Sequence, residues 1–413
     1  SAPKSSRSIV VPQSFTPMAT ATQPDLPDEM LEEIFLRLAT AADLARASTA
    51  CSSFRGVITD HSFLRRFRTL HPPPLLGIIS SASFLPAQPP HLSAAAGRTL
   101  ANADFSCSFL PSRERWERHD FRDGRALMAG VPEGSSVSIN DYDSRFLDMD
   151  FAVCDPLHRR YVLLPAIPDD LTALVDQPDI LDVGRFLSPS DEDVEEYTSF
   201  TVLCLVECRT KLILFVFSSG VGQWQAITFD GWGALIAGSV YCQLCYRYCV
   251  CGCFCWPIPE MNKVLLFDTR NMEFSSVDLP PGPRTRRLVF VEAAEGRLGM
   301  FTLPDDGSDF PHVLRYAVLR NDGDGPNQWH LEATISVPVG SHYKAMGVAG
   351  GYLLLQVIPE GFYSIPRPER PDLDCFTVNV HTLELDWFCG IRHTILLPDL
   401  YAGFPPSLSL PAI

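Results

Sequence analysis

The sequence predicts an α+β multidomain chain, with a small helical unit at the amino end and an all-β, propeller-like body after it. Three observations predict this. Apolar residues recur with a period near 3.6 only between about residues 27 and 67. From about residue 75 they form short runs bounded by turn residues instead. The chain also carries 35 Pro and 26 Gly in 413 residues, more than a helical bundle would tolerate. With 46% hydrophobic and 20% charged residues it is a globular composition, which excludes bulk disorder.

The first helix is expected over Pro27–Leu38, where Met30, Leu31, Ile34, Phe35 and Leu38 read as one apolar face. Pro27 suits a first helical position, and Asp28 and Glu29 favour the positive end of the helix dipole. Thr40 through Asp43 reads as a capping box with a shortened acid. A second helix should turn Leu44, Ala47 and Cys51 inward. A third begins near Ser52 or Ser53 with Phe54, Val57 and Ile58, and a further turn holds Phe63, Leu64 and Phe67 before Pro72-Pro73-Pro74. About 45 residues of short helix bury too little on their own, so this unit is expected to need a partner.

Strands are expected at Tyr161–Leu164, Thr201–Val206, Leu212–Phe217, Val264–Phe267, Leu288–Val291, Val313–Leu319, Tyr352–Ile358 and Cys375–Val380. Within them a unit repeats: an apolar strand, a polar turn, then an aromatic that opens a return strand. Trp224, Phe274, Trp329 and Trp387 take that place; the first interval is 50 residues, the second 55 and the third 58. Kelch-like blades have a period of about 50 residues and bury their faces by stacking on neighbours. Six or seven blades are expected, with an irregular β-sandwich as the rival architecture. The expected organisation is a polar, disordered leader at 1–23, the helical unit at 24–71, a Pro-rich linker at 72–100 and the β body at 101–413. Met18 is a candidate natural start.

Lys4 and Arg7 are followed by no apolar stretch of signal-peptide type. The 13 cysteines are an odd number in a long chain, which argues for a reducing cytoplasmic or nuclear setting. The net charge of −16 opposes binding to a phosphate backbone, so nucleic acid is not an expected partner. Ala234–Trp256 holds one charge, Arg247, over a length that could span a bilayer. Gln243, several tyrosines and Trp-Pro-Ile-Pro favour a buried strand pair, and no membrane partner is expected.

Cys242, Cys245, Cys249, Cys251, Cys253 and Cys255 form the strongest rival signal. Cys242-x-x-Cys245 has zinc-knuckle spacing. The last four alternate with period two, so a single strand would line them along one face, too far apart to share one metal. Small buried core residues are the expected reading. There is no Gly-x-Ser-x-Gly, no phosphate loop and no His-Glu-x-x-His, and no catalytic residue is assigned. His158 is expected in a hairpin turn, Asp191–Glu196 in a solvated loop, and the four repeat aromatics in blade cores.

Leu26-Pro27-Asp28-Glu29-Met30-Leu31-Glu32-Glu33-Ile34-Phe35-Leu36-Arg37-Leu38, Ala42-Asp43-Leu44-Ala45-Arg46-Ala47 and Cys51-Ser52-Ser53-Phe54-Arg55 together resemble an F-box. Ala39, Ala50 and Phe54 stand where that family usually has Pro, Val and Trp. Cys154–Tyr161 and Phe267–Phe274 resemble the β-rich associated region of the large plant F-box family. The resemblance implies a substrate receptor of a Skp–cullin–F-box ubiquitin ligase, docking a Skp-type adaptor and through it a cullin, and holding a client protein on the β body. By motif position it places adaptor contacts at Leu26, Pro27, Ile34, Leu38, Leu44 and Phe54, with no cofactor and no metal. Glu29, Glu32 and Glu33 are expected on a solvated face.

Overall fold

A computed structural model describes residues 26–38, 41–71, 73–80, 83–111, 115–131, 147, 149–189, 198–232, 244, 246–282, 287–304, 312–321, 327–395, 398–403 and 413. The expected leader, Thr40 of the capping box, Cys242, Cys245 and most of the acidic loop lie outside the described residues.

The amino end folds as four helices, α1 (Asp28–Leu36), α2 (Ala41–Ser48), α3 (Ser52–Ile58) and α4 (His61–Leu70). Pro27 sits one place earlier than expected, at the N-cap, where its carbonyl accepts the N–H groups of Met30 and Leu31 at 3.0 and 3.1 Å. The Cys51 sulfur accepts the Phe54 N–H at the start of α3, and the Asp60 carboxylate accepts those of Ser62 and Phe63 at the start of α4.

The remaining strands form six sheets, so the rival sandwich is excluded. Five sheets have four antiparallel strands in sequence order: β3 (Arg115–Arg122), β4 (Arg125–Val131), β5 (Phe151–Asp155) and β6 (Arg160–Leu164); then β7 (Ile180–Leu187) to β10 (Gln223–Asp230) through β8 (Thr201–Cys208) and β9 (Lys211–Ser218). The third comprises β11 (Tyr248–Val250), β12 (Cys253–Ile258), β13 (Lys263–Asp268) and β14 (Glu273–Asp278). The fourth comprises β15 (Leu288–Ala293), β16 (Arg297–Thr302), β17 (Val313–Arg320) and β18 (Gln328–Ser336). The fifth comprises β19 (Ser341–Ala349), β20 (Tyr352–Pro359), β21 (Leu373–Asn379) and β22 (Leu385–Ile391). The sixth is assembled from both ends of the chain: β23 (Asp399–Ala402) pairs β1 (Leu75–Ser80), which pairs β2 (Ser83–Pro86). The fold is a six-bladed propeller behind a short helical unit.

This closure corrects the reading of residues 72–100 as a linker. The segment supplies β1, β2 and the short helix α5 (Ala94–Arg98), and it completes the last blade. Its prolines disguised it: Pro86 is the last residue of β2 and Pro73 and Pro74 precede β1.

Blade stacking explains the near-continuous apolar strands. Along β9, Ile213, Phe215 and Phe217 join the first blade's core, while Leu212 and Leu214 pack with Phe254, Trp256 and Phe267 of the third blade. Both faces are buried, so apolar residues are not confined to alternate positions. Tight turns repeat as well. Asp123-Gly124, Cys251-Gly252, Glu295-Gly296 and Gly350-Gly351 join first to second strands, each with two successive positive φ values. Third-to-fourth turns share a second frame: Asp155, Asp268 and Asn379 each accept backbone N–H groups within the turn, and the residue four later (Arg159, Met272, Leu383) has φ of 53 to 62°. His158 lies in the first of these turns, its Nδ1 2.7 Å from Asp155 Oδ2.

The repeat aromatics open the outermost strands and act mainly at the rim. Trp224 is buried and donates its indole N–H to Pro165 O of the preceding blade at 2.7 Å. Trp329 donates to Asp278 O of its preceding blade at 2.9 Å, and Phe274 packs edge-on against Phe229 of its own. Trp387 bonds within its own blade, to Asp374. Phe274, Trp329 and Trp387 are half-buried rather than core residues.

Tyr401 of β23 fills the junction between the closing blade and the first, against Phe84, Phe105 and Phe121. Tyr401→Ala is expected to destabilise the propeller by about 3–5 kcal/mol, as deletion of a buried aromatic does. Val339→Ala, at an exposed site, should change it by less than about 0.5 kcal/mol. Denaturant unfolding of both variants checks the difference.

Candidate functional site

The helical unit has its own core: Leu31, Phe35, Leu36, Leu44, Val57, Ile58, Phe63, Leu64 and Phe67 are buried together. On α1 the apolar positions divide into two stripes, not the single expected face. Leu31 and Phe35 point inward. Met30 and Ile34, one helical turn apart, remain 53% and 47% exposed on one side of α1, and Leu26, 45% exposed, stands just before the Pro27 N-cap. Between the stripes Arg66 of α4 binds Glu32 at 2.7 Å and Glu33 at 2.8 Å, so these acids hold α1 to α4 at the surface.

The six residues named by motif position therefore separate. Leu26, Pro27 and Ile34 are exposed. Leu38 and Phe54 are half-buried beside the core, and the Phe54 ring meets Phe35 edge-on at 5.1 Å. Leu44 has no exposed surface; it is a core residue and is withdrawn as a contact. Met30 was missed. Its spacing of four from Ile34 was the signal, hidden because all apolar residues of the helix were assigned to one face.

The cysteine reading also needs correction. Cys249 through Cys255 do not lie on one strand: Cys251-Gly252 is a turn, and Val250 pairs Cys253 while Cys249 pairs Phe254. Opposite partners in an antiparallel pair share a face. Cys249 therefore packs towards the second blade, while Cys255 is buried towards the fourth. Burial raises all four thiols, Cys251 to about 12, so in the free chain they are held as thiols. No group of three or more candidate metal ligands occurs among the described residues. Nor is any described helix long and apolar enough to cross a membrane.

A second polar centre lies on the innermost strands. Arg118 of β3 donates to Asp399 of β23 at 2.6 Å, and Arg247 pairs with Asp120 of β3 at 2.6 Å. The other Asp120 oxygen accepts the Leu187 N–H of β7. Asp120 thus ties the first blade to the second. His119 is held neutral, its pKa lowered to about 3 by burial and then by Arg185 and Arg247. None of this network was assigned from sequence, because Arg115–Arg122 is too polar to read as a strand.

Two cross-strand acids, Asp182 and Glu207, stand opposite each other on β7 and β8. Burial, then Asp182, raises Glu207 from 4.5 to about 8. A carboxyl raised on folding contributes stability that is complete below pH ~4.5 and is lost as pH rises through ~8. Glu207→Gln should therefore raise the melting temperature more at pH 8.5 than at pH 4.5; an equal effect at both would contradict the assignment. On the helical unit, Ile34→Ser is expected to leave stability within about 0.5 kcal/mol of the parent. Leu44→Ala should cost about 2–5 kcal/mol, with both variants measured by thermal unfolding.

No curated protein matches the chain. Among solved structures it is similar to the six-bladed fungal lectin from Aleuria aurantia, at 8% identity over 66% of this chain and 77% of the lectin, with a TM-score of 0.34. It is also similar to apo AztD from Citrobacter koseri, at 9% identity over 70% and 76% of the two chains, with a TM-score of 0.33. At these values the fold rests on the strand pairing described above. The helical unit is matched more specifically. Residues 23–69 match the F-box-like family, so the exposed side of α1 belongs to an F-box-like domain carried by a six-bladed propeller.

Proposed function

We propose that this chain is a non-catalytic substrate-recognition subunit of a Skp–cullin–F-box type ubiquitin ligase. The F-box-like domain docks on a Skp-type adaptor, which links it to a cullin, and the propeller holds a client protein. One observation carries the reading: a unit with a closed core of its own still exposes Met30 and Ile34 on one side of α1, with Leu26 and Pro27 exposed just before it. Desolvating such side chains is favourable at about 25 cal/mol per Å², and a stable interface needs roughly 1,200–2,000 Å² in all. These residues are the centre of such a surface, with Leu38 and Phe54 at its edge.

The mechanism is proximity. A client held on the propeller presents its lysines at high effective concentration to a ubiquitin-charged enzyme elsewhere in the assembly. Bond making belongs to that enzyme, and this chain contributes orientation. The free cysteines suit work in the reducing cytoplasm or nucleus.

Co-purification of the full chain with a Skp-type adaptor tests the reading. Binding is expected, and Leu26→Ala combined with Ile34→Asp should weaken it at least about tenfold, the loss of a central apolar contact. An intact, folded chain that fails to bind any Skp-type adaptor would refute it. The melting temperature of the double variant, unchanged because both positions are exposed, separates lost docking from lost folding.

A further inference from the structure

The innermost strands bring four arginines to the propeller axis: Arg118 and Arg122 of β3, Arg185 of β7, and Arg247 just before β11. The acids among them are largely engaged. Asp399 binds Arg118; Asp120 binds Arg247 and the Leu187 N–H. Asp182 accepts the backbone N–H groups of Val183 at 2.7 Å and Leu244 at 2.8 Å, and burial raises its pKa.

Arg122 has no hydrogen-bond or ion-pair partner among the described residues; against its burial, the charges of Cys249, Asp120, Asp123 and Asp399 favour its charged form. Two residues along β3 from Asp120, it stands directly before the Asp123-Gly124 turn, half-buried at the tight-turn mouth of the axis. Its guanidinium lies 5.4 Å from the centre of the Phe254 ring, and that of Arg247 lies 6.0 Å from the same ring. The Nε atoms of both are buried and without a hydrogen-bond partner among the described residues. A buried donor left unmade costs free energy, more so when it is charged. Burial above all, and then Arg185 and Arg247, suppresses the protonation of His119.

We propose that this mouth is an oxyanion-binding site, in which Arg122 and Arg247, flanking Phe254, take a carboxylate or phosphate group of a ligand. Guanidinium presents a planar fork of donors that matches both groups bidentately. The acidic chain as a whole repels anions, so the site works by short-range pairing with half-buried guanidinium groups, not by long-range attraction. It does not depend on adaptor docking and stands or falls separately from that reading.

The test uses the full chain in a buffer free of carboxylate and phosphate, titrated with sodium phosphate or sodium citrate against sodium chloride at matched ionic strength. A saturable rise in melting temperature and saturable binding heat are expected for phosphate or citrate and not for chloride; the stronger of the two identifies the group preferred. Arg122→Gln should weaken binding by about tenfold or more, the worth of a charge-assisted hydrogen bond. Arg122→Lys, which keeps the charge but not the fork, should weaken it less, and Arg66→Gln on α4 should leave it unchanged. Should Arg122→Gln fail to fold, Arg122→Lys and the parent carry the test. The proposal is overturned if neither anion binds the parent saturably, or if a folded Arg122→Gln binds as the parent does.

Discussion

Burial of both faces of every blade is the constraint on which the molecule depends. Strands such as β8 and β9 are apolar on each side, and a sheet of that kind must be sandwiched between two neighbours. A row of blades would leave its end faces wet. Closing the row into a ring removes both ends, and pairing β23 with β1 closes it with ladder hydrogen bonds rather than side-chain contact alone. Folding of the propeller is thereby coupled across almost the whole sequence, because residues 75–86 and 399–402 share one sheet. Gly77 shows how closely that sheet is fitted: a Cβ there would stand 2.3 Å from the Phe84 ring.

The F-box-like domain meets the same shortage of burial differently. Its core is completed locally by Phe63, Leu64 and Phe67 of α4, together with α1, α2 and α3. What it leaves outside includes Met30 and Ile34 on one side of α1. An amphipathic helix ordinarily has one apolar face; α1 has two, and the second has no partner within the described residues that buries it. That division of one helix between self-packing and exposure is the physical basis for the proposed docking.

Much of this was legible in the sequence, and for identifiable reasons. Doubly buried strands such as Leu212–Phe217 announce themselves through apolar runs, and turns through residues such as Asp268 and Asn379. The aromatic interval located the outer strands because each aromatic is the second or third residue of its strand. What was not legible was determined by tertiary context. β3 reads Arg-Trp-Glu-Arg-His-Asp-Phe-Arg, a strand only because its polar side chains meet those of β7, β23 and Arg247 around the axis. The closing blade was obscured because its strands lie at opposite ends of the chain. Leu44 and Met30 were interchanged in role because a motif fixes which residue types recur at a position, while rotation about the helix fixes which of them reach the surface.

The junction between the two units bears on how proximity could be transmitted. A floppy tether dilutes effective concentration, whereas a stiff one preserves orientation. Here the connection is constrained on both sides. His71, ending α4, stacks on Phe67 and lies 2.9 Å from Leu36 O. Pro74 O accepts the Gly403 N–H immediately after β23. Pro73 O passes so near the Gly350-Gly351 turn that a Cβ on Gly350 would approach it to 2.5 Å, and with φ of 58° that position favours glycine in any case. Residues beside the closing pair of strands therefore fix where the chain leaves the propeller towards the helices.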